Sequence, residues 1–418
     1  MKITDVLLTK SYTGFYFDDQ KAIKRGADHD GFLYVGEPMA SSFKDIRVPG
    51  EAISIQLVLE NGDIGTGDCA AVQYSGAGGR DPLFLASDYI PFLDKFVKPL
   101  LVGEDVASFK KLSEKYDHLL VNGKRMHTAI RYGISQALLS ATAISTKRTL
   151  AEVIRDEYNP DYKILGSVPI FAQTGDDRYT NVDKMILKQV DSLPHALINN
   201  VKEKLGYHGE LLLDYIKWLK ERILKYRQSE TYMPILHVDV YGTIGIAFDN
   251  DINRIVNYIK ALEKMAHPFK LRLEGPIDSG DREGTMIALR DIRKQLDDEG
   301  IDVEIVADEW CNTLDDIKYF ADNKAGHILQ IKTPDLGGLN NIADAIIYCK
   351  QHHIGAYCGG TCNETNISAI ATTNVAIACQ ADICLAKPGM DVDGGFMIVK
   401  NEMERVIARS KARKQVVS

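Results

Sequence analysis

From about residue 165 onward the sequence repeats one rhythm, and that rhythm limits the fold more than any other feature. Short apolar runs recur as SVPIFA, HALINN, PILHVDV, FKLRLEG, VEIVADE, HILQIK, GAYCGG and ICLAKP, separated by stretches long enough for a helix. Strands that are apolar throughout, rather than at alternate positions, belong to a parallel sheet covered on both faces. Eight such units predict a (β/α)8 barrel, an α/β fold that typically occupies about 250 residues. An open doubly wound sheet is the structural alternative, weakened because no Gly-x-Gly-x-x-Gly motif opens a helix after the first strand.

The segment before this repeat is built differently. Ala52–Leu59 followed by Glu60-Asn61-Gly62-Asp63 predicts a β-hairpin with an Asn-Gly turn. Helical patterns follow near 86–100, 107–121 and 125–147, the last with Ile130, Ile134, Ala137 and Leu138 on one face. The 418 residues therefore divide into an N-terminal α+β domain over 1–160 and a barrel over 161–418, with the C-terminal tail packing back on the first domain.

Composition removes several classes of function. The net charge of −8 comes from interspersed acids and bases, so no nucleic-acid footprint is expected. The one basic cluster, Arg409 to Lys414, reads as a solvated, frayed end. Seven scattered cysteines without CxxC pairs fit free thiols in a reducing compartment. No secretory pattern opens the chain and no apolar run reaches membrane-spanning length, so a soluble cytoplasmic protein without membrane partners is expected.

In a barrel, polar residues at the C-terminal ends of strands are the candidate site. Asp239 ends ILHVD, Glu274 ends LRLE and Asp308 ends EIVAD, one repeat apart in each case. A single strand-end acid is commonly just hydrogen-bonded. Three on successive strands converge, repel one another, and call for a cation. All-oxygen ligands favour Mg²⁺ or Mn²⁺ over zinc and leave positions open for substrate. The next strand ends at Lys332, either a counter-ion to the acids or a base whose proton is labile beside a cation. His195, in LPHAL on the second strand, lies opposite Lys332 in strand order. A metal site plus a lysine base suits proton abstraction next to a carboxylate, with the developing enediolate charge held by the metal.

The order Asp239, Glu274, Asp308, Lys332 resembles the enolase superfamily. The phrases QYSGAGGRDPLF, HTAIRYG, RDEYNP, PHALINN, DVYGTIG, VADEWCNT, QIKTPDLGG, AYCGGTCNET and LAKPGM resemble the methylaspartate ammonia-lyase family over essentially the whole chain. The resemblance implies a capping domain over the barrel, a homodimer, Mg²⁺ and an activating K⁺. It implies reversible elimination of ammonia from (2S,3S)-3-methylaspartate to mesaconate, within glutamate fermentation. On matching residues, Asp239, Glu274 and Asp308 hold Mg²⁺ and Lys332 removes the C3 proton. His195 contacts the metal-bound carboxylate and serves the opposite face for the 3-epimer. Gln330 donates to that carboxylate. Gln173, Thr361 and Cys362 bind the other carboxylate, and Gln73 approaches the amino group. Phe171, Tyr357 and Leu385 wall the pocket.

Two features invite other readings. SGAGGR lacks the Gly-Lys-Ser/Thr ending of a phosphate loop, and a lid over the barrel mouth fits it better. Cys362 is not needed as a nucleophile, since elimination requires no covalent intermediate. Alternatives for the whole chain are a dehydratase or racemase of the same superfamily, or a barrel kept for binding alone.

Overall fold

The computed structural model describes residues 1–76, 79–162 and 165–417. Eight parallel strands close into a barrel: Ile170–Phe171, Ser192–His195, Ile235–Asp239, Leu271–Glu274, Val303–Ala307, Ile328–Ile331, Gly355–Cys358 and Ile383–Leu385. Closure is made by the eighth strand on the first, where Leu385 pairs with Phe171. Each strand is buried, with helices such as Glu210–Tyr226, Ile252–Ala266 and Arg282–Glu299 covering the outside. Strands flanked on both sides by apolar layers need no polar alternation, and that is why they read as unbroken apolar runs.

The second strand departs from expectation. It spans Ser192–His195, so HALINN contributes only its first residue. His195, Ala196 and Leu197 have φ of 71°, 67° and 43°, a left-handed run that ends the strand and that non-glycine residues seldom adopt.

The N-terminal region carries a three-stranded antiparallel sheet of Ile3–Asp18, Arg47–Leu59 and Ile64–Cys69. The hairpin pairs Val58 with Ile64 around the Asn61-Gly62 turn, as its sequence predicts. Helix Thr128–Thr146 lies directly on this sheet. A Cβ on Gly67 would collide with the backbone of Gly133 and Ala137, and one on Gly133 with Cys69. Glycine at both positions lets the two backbones approach. The basic tail is no frayed end: it continues helix Asp393–Val417, and Arg413 Nη1 sits 2.7 Å from Glu152 Oε2 in helix Leu150–Tyr158.

The N-terminal elements reach the C-terminal end of the barrel. Gly14 N donates to Glu364 O at 2.7 Å, Asn363 Nδ2 to Ala71 O at 2.9 Å, and Arg80 Nε to Asp335 Oδ2 at 2.8 Å. A cap thus covers the mouth, where strand-end side chains gather. Ala77 and Gly78, within the glycine-rich segment assigned to a lid, lie outside the described residues.

Candidate active site

Asp239 and Glu274 are the last residues of the third and fourth strands, and Asp308 and Lys332 directly follow the fifth and sixth. The parallel register, with Asp239 beside Glu274, brings them to one rim. Glu274 is fully buried; Asp239 and Asp308 are nearly so.

Ligand atoms of His195, Asp239 and Glu274 all lie within 4.8 Å of one another. His195 Nε2 is 3.3 Å from Asp239 Oδ2, and Tyr241 N donates to Asp239 Oδ1 at 3.1 Å. Glu274 has both oxygens engaged: Gln330 Nε2 donates to Oε1 at 2.7 Å, and His237 Nε2 lies 2.9 Å from Oε2. Asp308 pairs with Lys332, whose Nζ is 2.8 Å from Oδ1, an ion pair without hydrogen-bond alignment. In a dry site opposite charges at this range attract strongly.

The acids are not at ease together. Burial pushes the Glu274 carboxyl well above its ordinary 4.5, and Asp239 and Asp308 push it further, with Lys332 partly opposing. Among the described residues Glu274 hydrogen-bonds no cationic side chain: its partners are an amide and His237, which burial holds well below 6.5, with Arg272 and His195 adding to the effect. Oxygen donors crowded in this way fit a hard divalent cation. For Lys332, burial disfavours the charged form, but Asp308 and Glu309 outweigh it and hold the ammonium protonated, with Arg80 opposing them. In this arrangement the counter-ion role of Lys332 is the one on display.

The remaining predicted residues are near neighbours. Phe171, Tyr357 and Leu385 belong to one apolar cluster inside the barrel. The Tyr357 hydroxyl is buried there, facing the Gln330 side chain. Gln173 Nε2 donates to Gly389 O at 2.9 Å. Thr361 Oγ1 accepts from Asn363 N at 3.2 Å, and the Cys362 thiol points to Gln73 Oε1 at 3.4 Å. Burial pushes the Cys362 thiol up to about 12, so it stays a neutral donor and a poor nucleophile. Gln73 Nε2 is held by Asp18 Oδ2 at 2.6 Å, and Asp18 in turn is gripped by Arg47.

One neighbour of the site escaped the sequence reading. His237 lies two residues before Asp239, so period-two alternation turns it to the same side. Its ring stacks on Phe171 with centroids 4.0 Å apart and planes 5° from parallel. It therefore joins the Glu274 carboxylate to the apolar wall. The alternation that singled out Gln330 beside Lys332 was available for this pair as well.

Fold and site together define a class: an enolase-like capped barrel, with acids at the ends of the third to fifth strands and a lysine after the sixth. Muconate lactonizing enzyme from Pseudomonas fluorescens shares this fold at 15% identity, with a TM-score of 0.60 over 94% of this chain and 88% of that one. Closer similarities narrow the class. Family models described as methylaspartate ammonia-lyase N-terminus and C-terminus match residues 1–159 and 164–412. Methylaspartate ammonia-lyase from Clostridium tetanomorphum is 63% identical, covering 99% of this chain and 100% of its own. The Mg-complex of β-methylaspartase from the same organism superposes with a TM-score of 0.96 at 62% identity, over 99% and 100% of the two chains. The Citrobacter amalonaticus enzyme containing (2S,3S)-3-methylaspartic acid gives 0.97 at 54% identity, over 98% and 100%. The chain belongs to the methylaspartate ammonia-lyase family, whose members are carbon–nitrogen lyases.

Proposed function

We propose that this chain reversibly eliminates ammonia from (2S,3S)-3-methylaspartate to give mesaconate. The observation that carries the reading is the meeting of Asp239, Glu274 and Asp308 with Lys332 and His195 at one covered barrel mouth, in a chain of this family. The three acids hold Mg²⁺. His195, an imidazole donor, suits softer ions and is left for the substrate. Bound there, Mg²⁺ supplies fixed positive charge against the negative charge that grows on the substrate carboxylate as the C3 proton leaves.

The chain's own groups do the rest. Lys332 Nζ, when neutral, takes the proton from C3, and ammonia departs from C2. With Asp308 turned to other work, the charge that keeps Lys332 protonated is weakened. Gln330 has a second amide N–H beyond the one on Glu274 and offers it to the same substrate carboxylate. Gln173, Thr361 and Cys362 hold the other carboxylate with neutral donors, which fix an anion without competing for the cation. Gln73, steadied by Asp18, meets the amino group. Phe171, Tyr357 and Leu385 enclose the methyl group and exclude water. His195 faces the opposite side and serves the 3-epimer. An activating K⁺, a homodimer, a cytoplasmic location and a part in glutamate fermentation complete the reading, supported by the family resemblance. Among the described residues no helix is long and apolar enough to cross a membrane.

The test is release of ammonia together with the ultraviolet absorbance of the conjugated diacid, with 3-methylaspartate and plain aspartate assayed side by side. Turnover that needs Mg²⁺ and favours 3-methylaspartate is expected. Racemisation or water loss instead would overturn the reading.

A further inference from the structure

Behind the site lies a second charged group that the proposed mechanism does not use. Lys387 and Glu364 are both fully buried, with Nζ 3.1 Å from Oε1. The lysine donates to Thr333 Oγ1 at 2.9 Å and to Gly359 O at 2.5 Å, and its contact with Glu364 is an ion pair without hydrogen-bond alignment. Glu364 accepts from Thr333 Oγ1 at 2.8 Å on Oε1 and from Tyr132 OH at 2.9 Å on Oε2. None of the four side chains is exposed to solvent.

The chain positions of these groups give the cluster its meaning. Thr333 directly follows Lys332. Glu364 comes two residues after Cys362, and Gly359 two before Thr361. Lys387 comes two after Leu385, and Tyr132 lies on the cap helix Thr128–Thr146. A Cβ on Gly360 would strike both Lys387 and Glu364, so the backbone of this loop closes tightly around the pair. Neighbouring bonds extend the tie: Gly389 N donates to Cys362 O at 2.8 Å, and Gln173 binds Gly389 O. One ion pair thus joins the loops after the sixth, seventh and eighth strands to the cap.

A buried ion pair adds little net stability over an apolar pair of similar volume, because two desolvated charges consume most of their attraction. Its geometric effect differs: two hydrogen bonds and one ion pair from a single ammonium join three loops at once. We propose that Lys387 and Glu364 form a positioning unit that sets Lys332 against the carboxylate-binding Thr361–Cys362 segment. The inference rests on the lyase reading. Reacting groups displaced by about 1 Å lose on the order of 100-fold in rate, so turnover, more than binding, depends on this unit.

The test compares the wild-type chain with the double variant Lys387→Met/Glu364→Gln, which removes both charges and strands neither, and with Thr333→Val and Thr333→Ser. Kinetics with 3-methylaspartate, Mg²⁺ affinity by calorimetry, and melting temperature are measured for each. The double variant is expected to melt near the wild-type temperature and bind Mg²⁺ within about twofold, with kcat reduced at least about tenfold and KM little changed. Thr333→Val should lose turnover in the same sense, and Thr333→Ser, which keeps the hydroxyl, should retain it. A folded double variant with wild-type kcat overturns the inference. If that variant does not fold, wild-type kcat in Thr333→Val overturns it equally. A wild-type chain that releases no ammonia overturns the lyase reading itself, a result distinguishable from either.

Discussion

Replacing Glu274 by glutamine separates what the carboxylate cluster costs the fold from what it gives the reaction. The nearest ligand atoms of Glu274 and Asp239 are no more than 4.8 Å apart. Two ionised carboxylates at that distance repel by at least about 3 kcal/mol at an effective dielectric of about 20. Glu274→Gln removes this repulsion while keeping the side-chain shape. The new amide can still satisfy its neighbours, since the Gln330 amide that donates to Glu274 can turn its oxygen to accept from it. Exchanging two charge-assisted hydrogen bonds for neutral ones gives back about 1–2 kcal/mol, leaving a net stabilisation of about 1–2 kcal/mol for metal-free protein. In a chain of this length that is a rise of a few degrees in melting temperature.

The pH dependence has a definite sign. The folded-state value for Glu274 lies above its ordinary 4.5, so its contribution is most favourable below 4.5. It is lost as pH rises from there through the raised value. The advantage of Glu274→Gln should therefore be small near pH 4 and grow towards neutrality. Saturating Mg²⁺ should reverse the order, because a ligand at about 100 times its Kd adds about 2.7 kcal/mol to the protein that binds it. Melting curves in chelator and in excess Mg²⁺, from pH 4 to 8, check both parts. A variant less stable than wild type in chelator at neutral pH, or an equal response of both proteins to Mg²⁺, would refute the reasoning.

Two further substitutions probe the substrate side. His195→Ala should impair turnover of the (2S,3R) epimer far more than of the (2S,3S) substrate, read as kcat/KM for each; equal losses would assign His195 to orientation alone. Gln330→Ala removes a 2.7 Å donor from Glu274 and one substrate contact, so KM and the apparent Kd for Mg²⁺ should both rise; a change in neither would remove Gln330 from the site.

Much of the fold was legible because parallel strands covered on both faces leave a continuous apolar signature. The strand-end rule then located Asp239, Glu274, Asp308 and Lys332. The end of the second strand was less legible, since the left-handed turn at His195-Ala196-Leu197 carries no glycine to mark it. Family phrases, more than spacing, supplied Gln73, Gln173, Thr361 and Leu385. Nothing local relates Gln73 to Cys362, which meet only through folding. Thr333, Glu364 and Lys387 are not singled out by sequence for the same reason. Their burial depends on three loops and a cap helix closing on one another, a contact set that no short window of sequence contains. The pairing of Asp308 with Lys332 likewise depends on side-chain orientation at the rim.

The central claim is that Lys332 is the base for the C3 proton and more than a partner for Asp308. Lys332→Ala, assayed for ammonia release from (2S,3S)-3-methylaspartate alongside Mg²⁺ affinity, tests it most directly. A positioned general base contributes roughly 10²–10⁴-fold, so turnover should fall by about that factor while Mg²⁺ still binds. Near-normal turnover in this variant would contradict the account and leave Lys332 as a counter-ion.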